Sequence, residues 1–143
     1  MNISDALAEL GHLLGLGSVA LNEEGAARIV FDGDLDVDFV QSEDNPTLLH
    51  LDGMVCQVDE SVAPAFLKQL LHAHFLGQGT GGASFSLHPG GTEIHLGRAL
   101  DMSGREFSDF SNEVETFVNY LEAWRKMVSA GDIGLGGITP ASP

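Results

Sequence analysis

The chain has 143 residues with 21 acidic and 6 basic side chains, a formal charge of -15, and 43% hydrophobic residues. That length suits one domain able to bury about two-thirds of its unfolded surface, with no need of disulfide or metal staples. Six cations among 21 anions cannot build a phosphate-binding surface, which excludes nucleic acid and anionic membranes as partners.

Along the chain, Ile3, Leu7, Leu10 and Leu14 recur at helical spacing after a candidate N-cap, Asn2 or Ser4, and Gly15 and Gly17 stop the helix. Asn22–Gly25 reads as a turn. From Ala26 the period falls to two. Ala27, Ile29 and Phe31 alternate with Arg28 and Val30, then Leu35, Val37 and Phe39 with Asp34, Asp36 and Asp38. These are two strands joined by a hairpin at Asp32-Gly33. After a turn at Glu43–Pro46, a third strand begins at Thr47 and runs to Leu51 or past Asp52-Gly53.

Val62, Phe66, Leu67, Leu70 and Leu71 predict a helix from Val62 to Leu76, with Pro64 in its first turn and Gly77 at its end. Ala83–His88 and Glu93–Ala99 predict another hairpin. Ser103-Gly-Arg-Glu106 has the form of a capping box, and Phe107, Phe110, Val114, Phe117, Leu121, Trp124 and Val128 follow at steps of three and four. Only about three heptads are present, so a long helix packed on a sheet is expected rather than a coiled coil. From Gly131 the composition turns to Gly, Pro and Ser, so residues 131–143 are expected to form a flexible tail behind a domain of residues 1–130. The order α-β-β-β-α-β-β-α with hairpin-linked strands predicts an α+β fold, a twisted antiparallel sheet with its helices on one side.

No motif commits the chain to catalysis. Asp32, Asp34, Asp36 and Glu43 fall on calcium-loop spacing, but Val37 stands where that loop requires glycine and a strand precedes it. Gly77, Gly79 and Gly82 satisfy G-x-G-x-x-G, yet a helix precedes and a strand follows, the reverse of a dinucleotide fingerprint. The six histidines have no zinc-ligand spacing, although Glu93 and His95 share a strand face and can approach His88. No metal or cofactor is therefore expected. The lone cysteine, Cys56, reads as a packed thiol. The opening MNISDALAEL lacks a signal-peptide pattern, and Leu13–Leu21 is too short and glycine-broken to span a bilayer, so a cytoplasmic location is expected.

The charge is unevenly spread. Residues 22–60 carry -10, whereas residues 61–100 carry +1. Two protomers at -15 repel, so any self-interface should draw on the nearly neutral segment. The acidic row Asp34, Asp36 and Asp38 suits encounter with a basic partner.

The sequence resembles the class I type III secretion chaperones, the Tir-chaperone family, over roughly residues 2–130. The stretches that carry the resemblance are Leu21-Asn-Glu-Glu-Gly25 with Arg28-Ile-Val-Phe-Asp32, then Leu70-Leu-His-Ala-His-Phe-Leu-Gly77, Thr80-Gly-Gly-Ala-Ser-Phe-Ser-Leu87 and Ile94-His-Leu96. His74 stands where the family often has asparagine, and the tail after Gly131 has no counterpart. The resemblance implies a homodimer that holds the N-terminal region of one or a few secreted effectors in extended form before export. It works without ATP or turnover, and an export ATPase is a further candidate partner. The first helix and first three strands would receive the effector, with Leu16, Ile29, Phe31, Val40, Asp34, Asp36 and Asp38 as candidates. Each of the four apolar residues also suits the core. The second helix and the strand after it would build the dimer, with Phe66, Leu67, Leu70, Leu71, Phe75 and Phe85 as candidates. Two other readings are a chaperone-like adaptor of the YbjN-like kind, unconnected to secretion, and a metal-dependent hydrolase using the Asp32–Asp38 cluster with His88 or His95.

Overall fold

The computed structural model describes residues 1–130 and 137–141. Its elements are α1 (Ile3–Leu13), β1 (Ala26–Phe31), β2 (Leu35–Gln41), β3 (Leu48–Val58), α2 (Pro64–His74) with a 3-10 turn (Phe75–Gly77), β4 (Ser84–Leu87), β5 (Glu93–Asp101), α3 (Phe107–Ser129) and β6 (Ile138–Pro140). The first eight helices and strands follow the predicted order. The strands form one antiparallel sheet in the order β1-β2-β3-β5-β4, with β6 paired to β3.

Local chemistry accounts for most boundaries. The Asn2 side chain accepts the Asp5 N–H at 2.8 Å and caps α1. Asp32 and Gly33 both take positive φ, the left-handed geometry of a tight hairpin turn, closed by the Asp34 N–H donating to Phe31 C=O at 3.3 Å. The capping box predicted at Ser103 does not form. Helix α3 starts later, at Phe107, its N-cap Glu106 makes no side-chain bond, and the Ser103 N–H instead meets Asp101 Oδ1 at 2.9 Å. A local turn thus satisfies the donor that the motif assigned to the helix.

The register sorts the sheet into two faces. Ile29, Leu35, Val37, Phe39, Leu49, Leu51, Leu96 and Leu100 point to one face and are buried there. Across it lies α3, with Phe110, Val114, Phe117, Leu121, Trp124 and Val128 buried. Asp52-Gly53 does not turn the chain. A Cβ on Gly53 would fall inside contact distance of Leu121 Cδ2, so glycine there lets the helix sit close on β3. Helix α1 packs on α3, and α2 packs on β4. The glycine turn between α2 and β4 locks these parts together. The Trp124 indole N–H donates to Gly79 C=O at 2.9 Å, Arg98 Nη1 donates to Gly82 C=O at 2.6 Å, and the Phe85 ring meets Trp124 edge-on at 5.0 Å.

The tail expected from Gly131 is corrected at Ile138–Pro140, which pair with β3 as β6 and bury Ile138. One apolar residue in a Gly/Pro/Ser-rich stretch is enough when a strand edge lies open to receive it. The rest of that expectation, residues 131–136 and 142–143, lies outside the described residues.

The opposite face carries no helix among the described residues and is held by polar contacts between strands. His95 Nδ1 lies 2.8 Å from Asp52 Oδ2 on β3, and Nε2 lies 2.8 Å from Glu93 Oε1. Only the imidazolium can donate to both carboxylates. Desolvation opposes that charge, but the hydrogen bonds and charges of Glu93 and Asp52 outweigh it and raise the His95 pKa. A raised folded-state value means that this stabilisation is complete below the ordinary histidine pKa of ~6.5 and is lost as pH rises through the folded value. Thermal melts from pH 6 to 9 should therefore show the stability advantage of the wild type over His95→Gln shrinking steadily as pH rises. A constant gap would contradict the double carboxylate contact.

Candidate functional site

Three surfaces remain unsatisfied by the fold. The first is the edge of β1, which pairs with β2 on one side and with no other strand among the described residues. Beside it runs a groove of about 270 Å³ lined by Leu10, Leu13, Leu14, Phe31, Val114 and Val118. Helix α1 buries Ile3, Ala6, Leu7 and Leu10, and the chain then folds back so that the Leu16 N–H donates to Gly11 C=O at 2.8 Å. No side chain fits at Gly11, because a Cβ would meet Gly17 and Val19. That reversal turns Leu13 and Leu16 outward, 63% and 55% exposed. An unpaired strand edge beside an apolar groove is the arrangement that accepts an added strand: the backbone supplies hydrogen bonds and the groove takes alternate side chains.

The second surface is the helix-free sheet face. Arg28 on β1 lies opposite Asp38 on β2, and its guanidinium grips that carboxylate at 2.7 and 3.0 Å while reaching Asp36 at 3.3 Å. The fork geometry is bidentate, but all three side chains keep substantial solvent exposure, so the pairs add little to stability. Next to them is a hollow of about 250 Å³ that Asp34, Asp52, Met54, Glu93 and His95 also line. Carboxylates outnumber cations here, and the face is suited to meet a basic segment.

The third surface lies along α2 and β4. Leu71, Phe75, Leu76 and Leu87 are between 55% and 81% exposed. Leu71 and Leu87, with Leu67, Leu70, Phe85 and Ile94, border an apolar groove of about 240 Å³. So much exposed apolar surface on one face marks an interaction site.

The candidate residues divide accordingly. Of the residues proposed to receive an effector, Leu16 is exposed, Phe31 lines the α1 groove, and Val40 is half-buried on the helix-free face opposite His50. Asp34, Asp36 and Asp38 line the acidic hollow. Ile29 is a correction: at 2% exposure it belongs to the core. Of the proposed dimer residues, Leu67, Leu71 and Phe75 are exposed, and Phe85 is partly buried against Trp124. Phe66 and Leu70 are corrections, because both are buried beneath α2 within the protomer. The helical stripe alone could not say which half faced inward. Leu13, Leu14, Leu76 and Leu87 were missed. The helical stripe turns Leu14 inward, whereas it sits at the C-cap of α1 and is 40% exposed, and Leu76 is thrown outward by its left-handed backbone, φ 54, at the end of α2.

Chemistry of other kinds finds little support. Among the described residues no three His, Cys, Asp or Glu side chains gather as metal ligands. His95 is engaged with Asp52 and Glu93, and its ring lies 5.4 Å from that of His88. Cys56 is fully buried, and desolvation pushes its thiol up to about 11, far from a reactive thiolate. Among the described residues no helix is long and apolar enough to cross a membrane.

Comparison with known proteins fits this geometry. Residues 5–125 match the Tir chaperone protein (CesT) family. Among solved structures, a chain of the ExsC-ExsE complex superposes with a TM-score of 0.71 at 19% identity, covering 89% of this chain and 96% of that one. A chain of the HopA1-SchA chaperone-effector complex gives 0.69 at 12% identity, with 85% and 91% covered. The Yersinia pestis type III secretion chaperone SycH, in complex with a stable fragment of YscM2, has a chain that gives 0.63 at 16% identity, with 85% and 98% covered. No curated protein sequence matches the chain. The family match spans most of the chain, and the fold agrees with it throughout: the chain belongs to the Tir chaperone protein (CesT) family.

Proposed function

We propose that this protein is a type III secretion chaperone that binds the N-terminal region of a secreted effector in extended form and keeps it competent for export, without catalysis. The observation that carries the proposal is the unpaired β1 edge beside the groove of Leu10, Leu13, Leu14 and Phe31. An unfolded client needs backbone partners and pockets for alternate side chains, and both are present side by side. The acidic face then speeds encounter with a basic client segment and discourages others. Membership of a chaperone family and likeness to chaperone-effector complexes support the same reading. An adaptor unconnected to secretion has no comparable support, and a hydrolase lacks a gathered metal site among the described residues.

The working unit is a homodimer formed through α2 and β4. Leu71, Phe75, Leu76 and Leu87 are exposed in one protomer, and residues 61–100 carry almost no net charge, the condition under which two protomers of -15 can approach. A partner copy is the occupant that covers this patch.

Co-expression with the N-terminal fragment of a secreted protein encoded by a neighbouring gene should yield a stable complex that survives purification without nucleotide. Failure to retain any such fragment would overturn the proposal. Light scattering should report a dimer for the wild type, and Leu71→Asp should weaken it by about a hundredfold or more, since a carboxylate would be desolvated in an apolar interface. Leu71 is exposed in the protomer, so the variant should keep its fold. A dimer indifferent to this charge would place the interface elsewhere.

A further inference from the structure

Strand β3 is longer than its neighbour on one side. β5 pairs along one edge of β3 from Leu48 to Gln57, while β2 matches the other edge only from Leu49 to Asp52. The remaining edge, Cys56–Val58, is taken by β6, with Cys56 opposite Pro140, Gln57 opposite Thr139 and Val58 opposite Ile138. The hold on β6 is slight. Ile138 is its one buried residue, Pro140 has no N–H to donate, and the outer edge of β6 is unpaired among the described residues. One further bond, from Asp59 N–H to Gly137 C=O at 2.9 Å, anchors its start.

This is the geometry of strand addition, with a segment of the same chain as occupant: backbone pairing along an edge and one side chain seated in the core. Beyond Pro140 the chain enters the acidic hollow, where Ala141 lies among five carboxylates that Arg28, Arg125 and His95 only partly offset. Alanine brings no charge to that place. A segment with the same apolar anchor and a cation three residues later would fill both the seat of Ile138 and the hollow.

We propose that the β3 edge at Cys56–Val58 is a second strand-acceptor site, held by the chain's own β6 until an extended client segment displaces it. The fitting segment carries an apolar residue followed, three positions on, by Lys or Arg. The proposal rests on the chaperone reading above. A β6 donated by a second copy would seat Ile138 equally well but would still set an uncharged Ala141 over the acids, so the charge favours a client.

A single substitution tests it in the full chain. The Asp59–Gly137 bond places Cys56 and Pro140 at a non-hydrogen-bonded position, where facing Cα atoms lie ~4.5 Å apart, within reach of a disulfide. Cys56 is the only cysteine, so Pro140→Cys should lock β6 in place when oxidised and free it when reduced. The probe is a fluorescein-labelled peptide with the sequence of residues 137–140 followed by three lysines, followed by anisotropy at low salt. Reduced protein should bind it at least tenfold more tightly than oxidised protein. Replacing the peptide's isoleucine by aspartate, or its lysines by glutamates, should each cost at least tenfold. Equal affinity of the two redox forms, indifference to either change, or no binding to the reduced form would overturn the inference. If both redox forms then still retain an effector fragment, the chaperone reading stands without this second site. If neither form nor the wild type retains one, the chaperone reading itself falls.

Discussion

The fold depends on the seating of α3 against β3, where Leu121 lies over Gly53. A helix of 23 residues spans about 35 Å, enough to cross the middle strands of the sheet. Because Gly53 has no side chain, Leu121 and the apolar row of α3 settle close on β3 instead of riding above it. One helix thus closes most of the core. Helices α1 and α2 are consigned to its flanks, the first against α3 and the second against β4. Their outer sides, with Leu13 at one end of the molecule and Leu71 and Phe75 at the other, are left exposed among the described residues.

The distribution of charge follows the same division. The helix-free face gathers Asp36, Asp38, Asp52 and Glu93 around Arg28 and His95, and it is acidic because the register of β1, β2, β3 and β5 brings those residues together. The flank built by α2 and β4 is almost neutral. Under the proposed function, repulsion between strongly acidic copies would confine self-association to the neutral flank, and attraction for cationic chains would direct clients to the acidic face and the adjoining β1 edge. The placement of the carboxylates thus divides the surface into an acidic face and a nearly neutral flank.

Much of this was legible in the sequence, for physical reasons that differ by element. The period-two alternation of Ala27–Phe31 and Leu35–Phe39 identified both strands and their inward faces, because one side of each packs inward while the other is more exposed, carrying Arg28 and Val30 on β1 and Asp36 and Asp38 on β2. Asp32-Gly33 marked its hairpin through the need for positive φ. What could not be read was contact between distant elements. The pairing of Arg28 with Asp38 depends on register, and the burial of Phe66 and Leu70 beside exposed Leu67 and Leu71 depends on which side of α2 meets β4. The strand at Ile138–Pro140 was hidden by its glycine- and proline-rich surroundings. It exists because the far end of β3 has no other partner on that side among the described residues.

The central claim is that a client joins the sheet as an extended strand at the β1 edge. Backbone amide hydrogen exchange, measured on the protein alone and with a bound N-terminal effector fragment, tests this most directly. Binding should slow exchange by at least tenfold within Ala26–Phe31 and around Leu10–Leu14, and leave the amides of the core strands unchanged. A bound fragment that protects other segments while β1 exchanges as fast as before would contradict the account.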